Sequence, residues 1–284
     1  MMLKKILCTS LAAMLVGGAN AATVFPADIV NAATFNWGSG PNGVYENTPE
    51  NDDINDQWGE IDLRGAGTVA VTGNFLHNGS GSLEFGANGD AQAKAGVAFY
   101  PPHPTGFGPF SEITAASYEW HVEQGLNAPA MRIFLFDGEA HVATLIWLPT
   151  NDGGAFEPGS WQAADVLNGY VWQTRGNAAP EYLIPANAPK LFSELQADGN
   201  FANLIVRAVE IGFGAGGWGA DFVGAADNVV FAGESARVEA NFEVAPLVAV
   251  APTPVPTMGE WSLILLSSVL GGLALVRVRR SRKA

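Results

Sequence analysis

The sequence predicts an all-β domain built as a two-sheet β-sandwich, set between an N-terminal signal peptide and a single C-terminal transmembrane helix. Three observations point that way. Ser117-Tyr118-Glu119-Trp120-His121-Val122-Glu123 alternates strictly, with Tyr118, Trp120 and Val122 on one face and Glu119, His121 and Glu123 on the other. Side chains of a strand repeat every two residues, so such a run buries one face and leaves the other for polar groups. Eight further apolar or alternating runs are separated by turns such as Asn78-Gly79, Asp137-Gly138 and Asp152-Gly153-Gly154, the punctuation of neighbouring strands. Helical patterning is confined to one short stretch, Pro189 to Gln196.

The elements follow in chain order. Met1-Met2-Leu3-Lys4-Lys5 is a short basic start, Ile6 to Val16 is apolar, and small residues lead to Ala19-Asn20-Ala21. Basic, apolar and small segments in that order make residues 1–21 a secretory signal peptide, with Ala19 and Ala21 forming the A-x-A site for signal peptidase. Cys8 is the only cysteine and lies inside it, without the small residues that precede a lipidated cysteine. The mature chain then has no thiol, which excludes disulfides, zinc–cysteine sites and cysteine nucleophiles.

Residues 22–244 are the ectodomain. Besides the run at Ser117–Glu123, its strand candidates are Thr68–Val71, Ser82–Phe85, Gly96–Tyr100, Met131–Phe136, Val142–Leu148, Tyr170–Gln173, Leu204–Phe213 and Asp227–Phe231. No internal repeat is visible. Residues 245–254, Ala-Pro-Leu-Val-Ala-Val-Ala-Pro-Thr-Pro, form an uncharged Pro-rich linker that favours an extended spacer; an edge strand over Leu247–Val250 is the competing reading.

The tail occupies 255–284. No charge interrupts Trp261 to Val276, and nine of the fourteen positions after Ser262 are Leu, Ile or Val. Such a run spans about 24 Å as a helix, short of the ~30 Å hydrocarbon core. Arg277 and Arg279 extend it by snorkelling, which sets the transmembrane helix at 261–278. Arg277, Arg279, Arg280, Arg282 and Lys283 make residues 277–283 a basic cytoplasmic end, because positive charge stays inside. The span is a marginal anchor, suited to insertion in the cytoplasmic membrane followed by cleavage.

Charge is lopsided. The chain carries a formal net charge of −14, yet 27 of its 28 acidic residues and only 7 of its 14 basic ones fall between positions 22 and 245. The exported body therefore stands near −20, a field that repels nucleic acid and anionic lipid. Nucleic-acid binding is excluded.

Val255-Pro256-Thr257-Met258-Gly259-Glu260-Trp261-Ser262, followed by the apolar span and the arginines, resembles the bacterial IPTL-CTERM sorting signal, a relative of the PEP-CTERM signals handled by exosortases. The family pattern runs Ile-Pro-Thr-Leu-x-Glu-Trp-Gly. Pro256, Thr257, Glu260 and Trp261 match it, Val255 and Met258 are conservative departures, and Ser262 replaces glycine. The resemblance implies a Gram-negative source and cleavage near Pro256-Thr257 by a membrane-embedded sorting enzyme. Pro256 keeps the residue before it extended, and Trp261 suits a membrane interface. Gly81-Ser82-Leu83-Glu84-Phe85, Gly159-Ser160-Trp161-Gln162 and Ala226-Asp227-Asn228-Val229 together resemble jelly-roll sandwiches of the carbohydrate-binding-module type. That resemblance implies a jelly-roll-like topology.

Four groups of residues invite a functional reading. Glu119, His121 and Glu123 could serve as acid, base or metal ligands, or form a solvated strand face; they lack the Glu-x-Asp-x-x-Glu arrangement of concanavalin-type glycosidases. Glu50, Asp52, Asp53 and Asp56, with Asn51 and Asn55, place hard oxygen donors suited to Ca²⁺ in seven residues, although glycine at the sixth place of an EF-hand loop is missing. Asp227 sits where the resemblance implies help with a structural calcium; capping a strand end is its plainer role. Of seven tryptophans in the exported body, Trp58 beside Asp56 and Gln57, and Trp218 in Gly214-Ala-Gly-Gly-Trp-Gly219, fall in expected loops and are the ligand-facing candidates. The Gly214–Gly219 run lacks the lysine and spacing of a phosphate loop. Ser160 is not in a G-x-S-x-G elbow, and no Ser-His-Asp set stands out.

The leading reading is an exported bacterial surface or secreted protein, sorted through its tail and acting as a non-enzymatic binding or structural component of the envelope or matrix, with polysaccharide as the candidate ligand. The alternative is a secreted glycan-active enzyme using Glu119 and Glu123 or loop carboxylates.

Overall fold

The computed structural model describes residues 21–30, 38–39, 45–46, 56–102, 104–152, 157–174, 182–214, 217–244 and 265–270. The chain divides into two compact units, Met1–Pro246 and Leu247–Ala284. In the second, residues 265–270 are helical and exposed. Among the described residues no helix is long and apolar enough to cross a membrane. Residues 1–20, Asp52, Asp53 and the motif 255–262 lie outside the described residues.

The first unit is mostly β. Its strands are β1 (Ala22–Val24), β2 (Ile29–Val30), β3 (Gly38–Ser39), β4 (Tyr45–Glu46), β5 (Gln57–Arg64), β6 (Thr68–Thr72), β7 (Ser82–Gly86), β8 (Lys94–Tyr100) and β9 (Ala115–Gln124). There follow β10 (Ala130–Asp137), β11 (Ala140–Trp147), β12 (Trp161–Asp165), β13 (Tyr170–Thr174), β14 (Lys190–Leu191), β15 (Ile205–Phe213), β16 (Val223–Ala232) and β17 (Arg237–Phe242). Every strand expected from the sequence is present. The helix expected over Pro189–Gln196 is α1 (Phe192–Ala197), its first residues taken up by β14.

Two sheets face each other. The first runs β1-β17-β16-β7-β6, with β9 on the other flank of β16 and β12 outside β9. The second runs β14-β13-β11-β10-β15-β8-β5-β2. Alternation decides what lies between them. Tyr118, Trp120 and Val122 of β9 point inward and are buried, as are Met131, Ile133 and Leu135 of β10. Aromatic edges lock the layers: Trp147 meets Tyr118 at 5.8 Å and Phe107 meets Phe231 at 4.7 Å between ring centres. Edge-on contacts of this kind add to plain area burial.

The second sheet is buried on both faces along its centre. Phe134 and Phe136, which alternate with the core residues of β10, pack with Ile61, Ala98 and Ala208 into a separate apolar cluster. β4 lies against β11 on that sheet. This explains why Ile133–Phe136, after Arg132, reads as a continuous apolar run rather than an alternating one.

The first nine residues of the ectodomain bridge both sheets. β1 pairs in parallel with β17, a 3₁₀ turn at Pro26–Asp28 follows, and β2 pairs in parallel with β5. The Asp28 carboxylate closes that turn by accepting the Phe25 N–H at 2.8 Å. Directly beneath, Trp58 of β5 contacts Phe99 on its own sheet at 5.4 Å and Phe242 on the facing sheet at 5.3 Å. Trp58 thus clamps the sheets together. Trp58→Ala is expected to cost about 3–5 kcal/mol, read as a loss of stability in urea titrations of residues 22–244 with the slope unchanged.

Candidate functional site

β16 changes neighbour halfway along its length. Ala225 and Ala226 pair with β7, Val229 to Ala232 pair with β17, and β9 flanks both halves. The hand-over falls at Asp227-Asn228, where the register against β9 also shifts. Asn228 absorbs the extra residue with φ 48°, a left-handed conformation that Asn tolerates better than most side chains. Asp227 answers the broken ladder: its Oδ1 accepts the backbone N–H of Phe242 at 2.8 Å. Asp227 thus sits in the middle of its own strand, not at its start, and caps the end of the neighbouring β17 at Phe242.

Three carboxylates gather at this bulge. Glu119 accepts from the Asn228 amide and pairs with His77 Nε2 at 2.7 Å. Glu243, fully buried, accepts from the Ser80 backbone N–H, from Ser80 Oγ at 2.6 Å and from the Asn241 amide at 3.0 Å. Residues 73–81, the β6–β7 connection, roof the cluster. Asn74 and Phe75 N–H groups tie it to Glu84 at 2.7 and 2.9 Å, and His77 stacks on Trp161 at 4.2 Å. Gly79 is required here, because a Cβ would collide with the Glu243 carboxylate. Burial, with Glu243 and Glu119 nearby, pushes the Asp227 carboxyl up to about 7 against the opposing hydrogen bonds from the Phe242 and Asn228 N–H groups. Asp227 Oδ2 has no hydrogen-bond partner among the described residues.

The sequence-derived candidates scatter. Glu119 and Glu123 share a face of β9 but stand four residues apart, about 13 Å by strand rise. Paired glycosidase carboxylates lie about 5–9.5 Å apart. Glu119 is engaged by His77 and Asn228, while Glu123 contacts His121 at 3.3 Å. His121 itself is buried beneath Phe75, whose ring lies 4.7 Å away, so the outer face of β9 is roofed where the sequence suggested open solvent. Asp56 and Trp58 do come together. Trp58 lies on β5 rather than in a loop, and it is buried between the two sheets. With Asp56 it lines an edge pocket of about 540 Å³ whose rim includes Asp28, Gln57 and Arg237.

Trp218 is in its expected loop but is also buried. Its indole N–H donates to the Ala128 carbonyl at 2.7 Å, and the Arg132 guanidinium lies 6.0 Å from its ring. Neither tryptophan offers an open ring face. Among the described residues no group of three or more His, Cys, Asp or Glu side chains is gathered to hold a metal ion; the donors around Asp227 do not fit a calcium site without further ligands. The Asp227–Glu243–Ser80 cluster escaped sequence reading because its members lie 16 to 163 positions apart. The one local signal was an Asp-Asn pair inside an apolar strand.

The raised Asp227 carboxyl gives a sign to the pH dependence. The folded state holds this proton more tightly than the unfolded chain, so the contribution is full below about pH 4 and is lost as pH rises towards 7. The shift corresponds to about 4 kcal/mol. His141, held down to about 4 by burial, runs the other way and is common to wild type and variant. Asp227→Asn keeps an acceptor for the Phe242 N–H and removes the titration. Relative to wild type it is expected to gain stability between pH 5 and pH 8, measured by urea midpoints at both values.

Comparison with solved structures finds carbohydrate-binding modules at low similarity. The chain is similar to the family 11 module of the cellulosomal cellulase Lic26A-Cel5E of Clostridium thermocellum, at 12% identity over 69% of this chain and 97% of that one, with a TM-score of 0.37. A family 11 module from Clostridium thermocellum in complex with a β-1,3-1,4-mixed-linked tetrasaccharide follows at 9% identity, over 62% and 88% of the two chains, TM-score 0.34. The module CBM28, specific for non-crystalline cellulose, shows 13% identity over 68% and 94%, TM-score 0.31. The two-sheet assignment rests on this chain's own strand pairing. No curated protein matches the chain. Residues 253–280 match the IPTL-CTERM motif, a C-terminal sorting motif that implies an exported, surface-associated protein.

Proposed function

We propose that the protein is exported behind its signal peptide, held in the cytoplasmic membrane by its tail, and released to the cell surface or exterior by an exosortase-type enzyme acting at the motif. The β-sandwich then works there as a non-enzymatic binding component of the envelope or matrix. The observation that carries this reading is the motif at 253–280 attached to a separate compact β unit. Val255, Pro256, Thr257, Met258, Glu260 and Trp261 are its recognition residues. Replacing Pro256 and Trp261 by alanine is expected to leave uncleaved protein in the membrane fraction, detected with an antibody to the ectodomain. Normal release of this variant would overturn the sorting role.

We assign neutral polysaccharide as the ligand class. A body near −20 disfavours polyanions but leaves neutral polyols unaffected. The edge pocket at Trp58 supports this: Asp28, Asp56, Gln57 and Arg237 surround an apolar floor, which is the mixture that hydroxyl-rich ligands use. The floor is the clamp itself, so Trp58 supplies shape rather than a stacking surface. A glycan array probed with residues 22–244 is expected to show binding to neutral glycans. Asp56→Ala should weaken it about tenfold, and Ala27→Trp, which fills the pocket from its exposed wall, should abolish it. Repeating the array with a chelator tests calcium, for which Asp52, Asp53 and Asp56 are the proposed ligands. Silence across neutral glycans would leave a purely structural coat protein.

A further inference from the structure

The outer face of the second sheet holds a recess that the sugar-binding reading does not use. Gly96 of β8 and Gly212 of β15 are direct cross-strand partners, and Gly214 follows at the end of β15. A Cβ at Gly96 or Gly212 would run into the Glu210 carboxyl, and one at Gly214 would crowd the Arg132 guanidinium and Lys94 Cε. The three glycines thus open a space in which four charged side chains meet. Arg132 and Glu210 pair there, and so do Lys94 and Asp62. Arg132 and Glu210 are almost wholly enclosed, and the Lys94 and Asp62 side chains retain only 16% and 8% of their exposure.

Asp62 reaches this place by an unusual route. The register between β5 and β8 slips between Ile61 and Arg64, and Asp62 takes φ 59° in that bulge. A non-glycine residue held there is strained, and such strain collects at functional positions. The bulge delivers the Asp62 carboxyl to Lys94 on the neighbouring strand, with Arg64 holding the other oxygen at 3.1 Å. Two charges removed from water in this way pay a desolvation cost that their attraction only partly offsets.

We propose that Lys94 and Asp62 become joined by an intramolecular isopeptide bond, with Glu210 as the proton carrier. The reaction is a condensation that needs no oxidant, metal or cofactor. The ammonium proton of Lys94 passes to the Asp62 carboxylate, giving a neutral amine beside a neutral acid. Nζ attacks Cγ. Glu210 takes a proton from the nitrogen as the N–C bond forms and gives one to the departing oxygen as the C–O bond breaks. One amide and one water result. The balance favours the product because two buried charges vanish and the remaining Arg132–Glu210 pair is neutral as a unit. Burial presses the Lys94 amine down and the Glu210 carboxyl up. For Asp62, burial is outweighed by the charges of Lys94, Arg132 and Arg64, which hold its carboxyl below the usual range, so proton transfer to Asp62 is the uphill step. Glu210 Oε2 has no hydrogen-bond partner among the described residues and is free to relay the proton. A body whose expected mature chain lacks cysteine has no disulfide to cross-link its strands, and a Lys–Asp amide between the neighbouring strands β5 and β8 would do so without one.

The test is peptide mapping of the full-length protein as recovered from its producing cells, digested under denaturing and reducing conditions. The proposal expects the Asp62 and Lys94 peptides to appear as one branched species, lighter by one water, about 18 Da, than the sum of the two. Lys94→Arg should give two separate peptides of full mass. Glu210→Gln, with its fold checked by far-UV circular dichroism, should leave most of the protein unlinked. Recovery of the wild-type Lys94 peptide free and unmodified overturns the proposal even if both variants fail to fold. Loss of water confined to the Asp62 peptide, with Lys94 unlinked, overturns it as well. A folded Glu210→Gln protein linked to the wild-type extent overturns the role given to Glu210.

Discussion

A strand that swaps partners in mid-course must leave a backbone donor without its ladder acceptor. In β16 that donor belongs to the incoming strand, at Phe242, and the Asp227 carboxylate satisfies it. Everything around the bulge follows from this one substitution of a side chain for a carbonyl. An unsatisfied buried N–H would cost about 1–3 kcal/mol; a buried carboxylate carries its own desolvation penalty. The protein accepts the second to avoid the first, then surrounds the site with amide and hydroxyl donors from Asn228, Asn241 and Ser80. The residues 73–81 lie where they do because their backbone N–H groups and hydroxyls are the donors still needed.

The same device recurs on the facing sheet. Asp62, like Asn228, takes a left-handed conformation at a bulge and turns a polar side chain into a buried recess. In both places small residues make the room: Gly79 beneath Glu243, and Gly96 with Gly212 beneath Glu210. Bulges re-aim side chains, and here they concentrate acids away from water in a protein otherwise rich in surface carboxylates. Such groups are the costliest to bury, and they hold the chain to one register. A one-residue slip of β5 or β16 would strand each acid against apolar neighbours.

Much of this architecture was legible in the sequence, and the reasons for the rest are physical. β9 announced itself by alternation, and β10 and β15 by long apolar runs. β5 did not, because Gln57, Glu60, Asp62 and Arg64 dilute its pattern and a bulge breaks its period; Trp58 was consequently placed in a loop. β17 alternates as strictly as β9, with Val238, Ala240 and Phe242 inward, but was not among the expected strands. Trp58 and Trp218 were read as exposed from polar or glycine-rich neighbours, yet chain proximity says little about what a facing sheet will cover. The roofing of His121 by Phe75 joins positions 46 residues apart, beyond any local pattern. The C-terminal motif was fully legible, since it is a linear address that needs no fold.

The pairing of β1 with β17 joins the first three residues of the ectodomain to its last regular strand, in parallel. A chain that crosses a membrane starting from its amino end presents β1 early and β17 last. The edge of that sheet stays unmade until nearly the whole body has emerged. Long-range pairing of this kind is slow to form, so the edge of the first sheet is completed only when the last regular strand of the body joins the first.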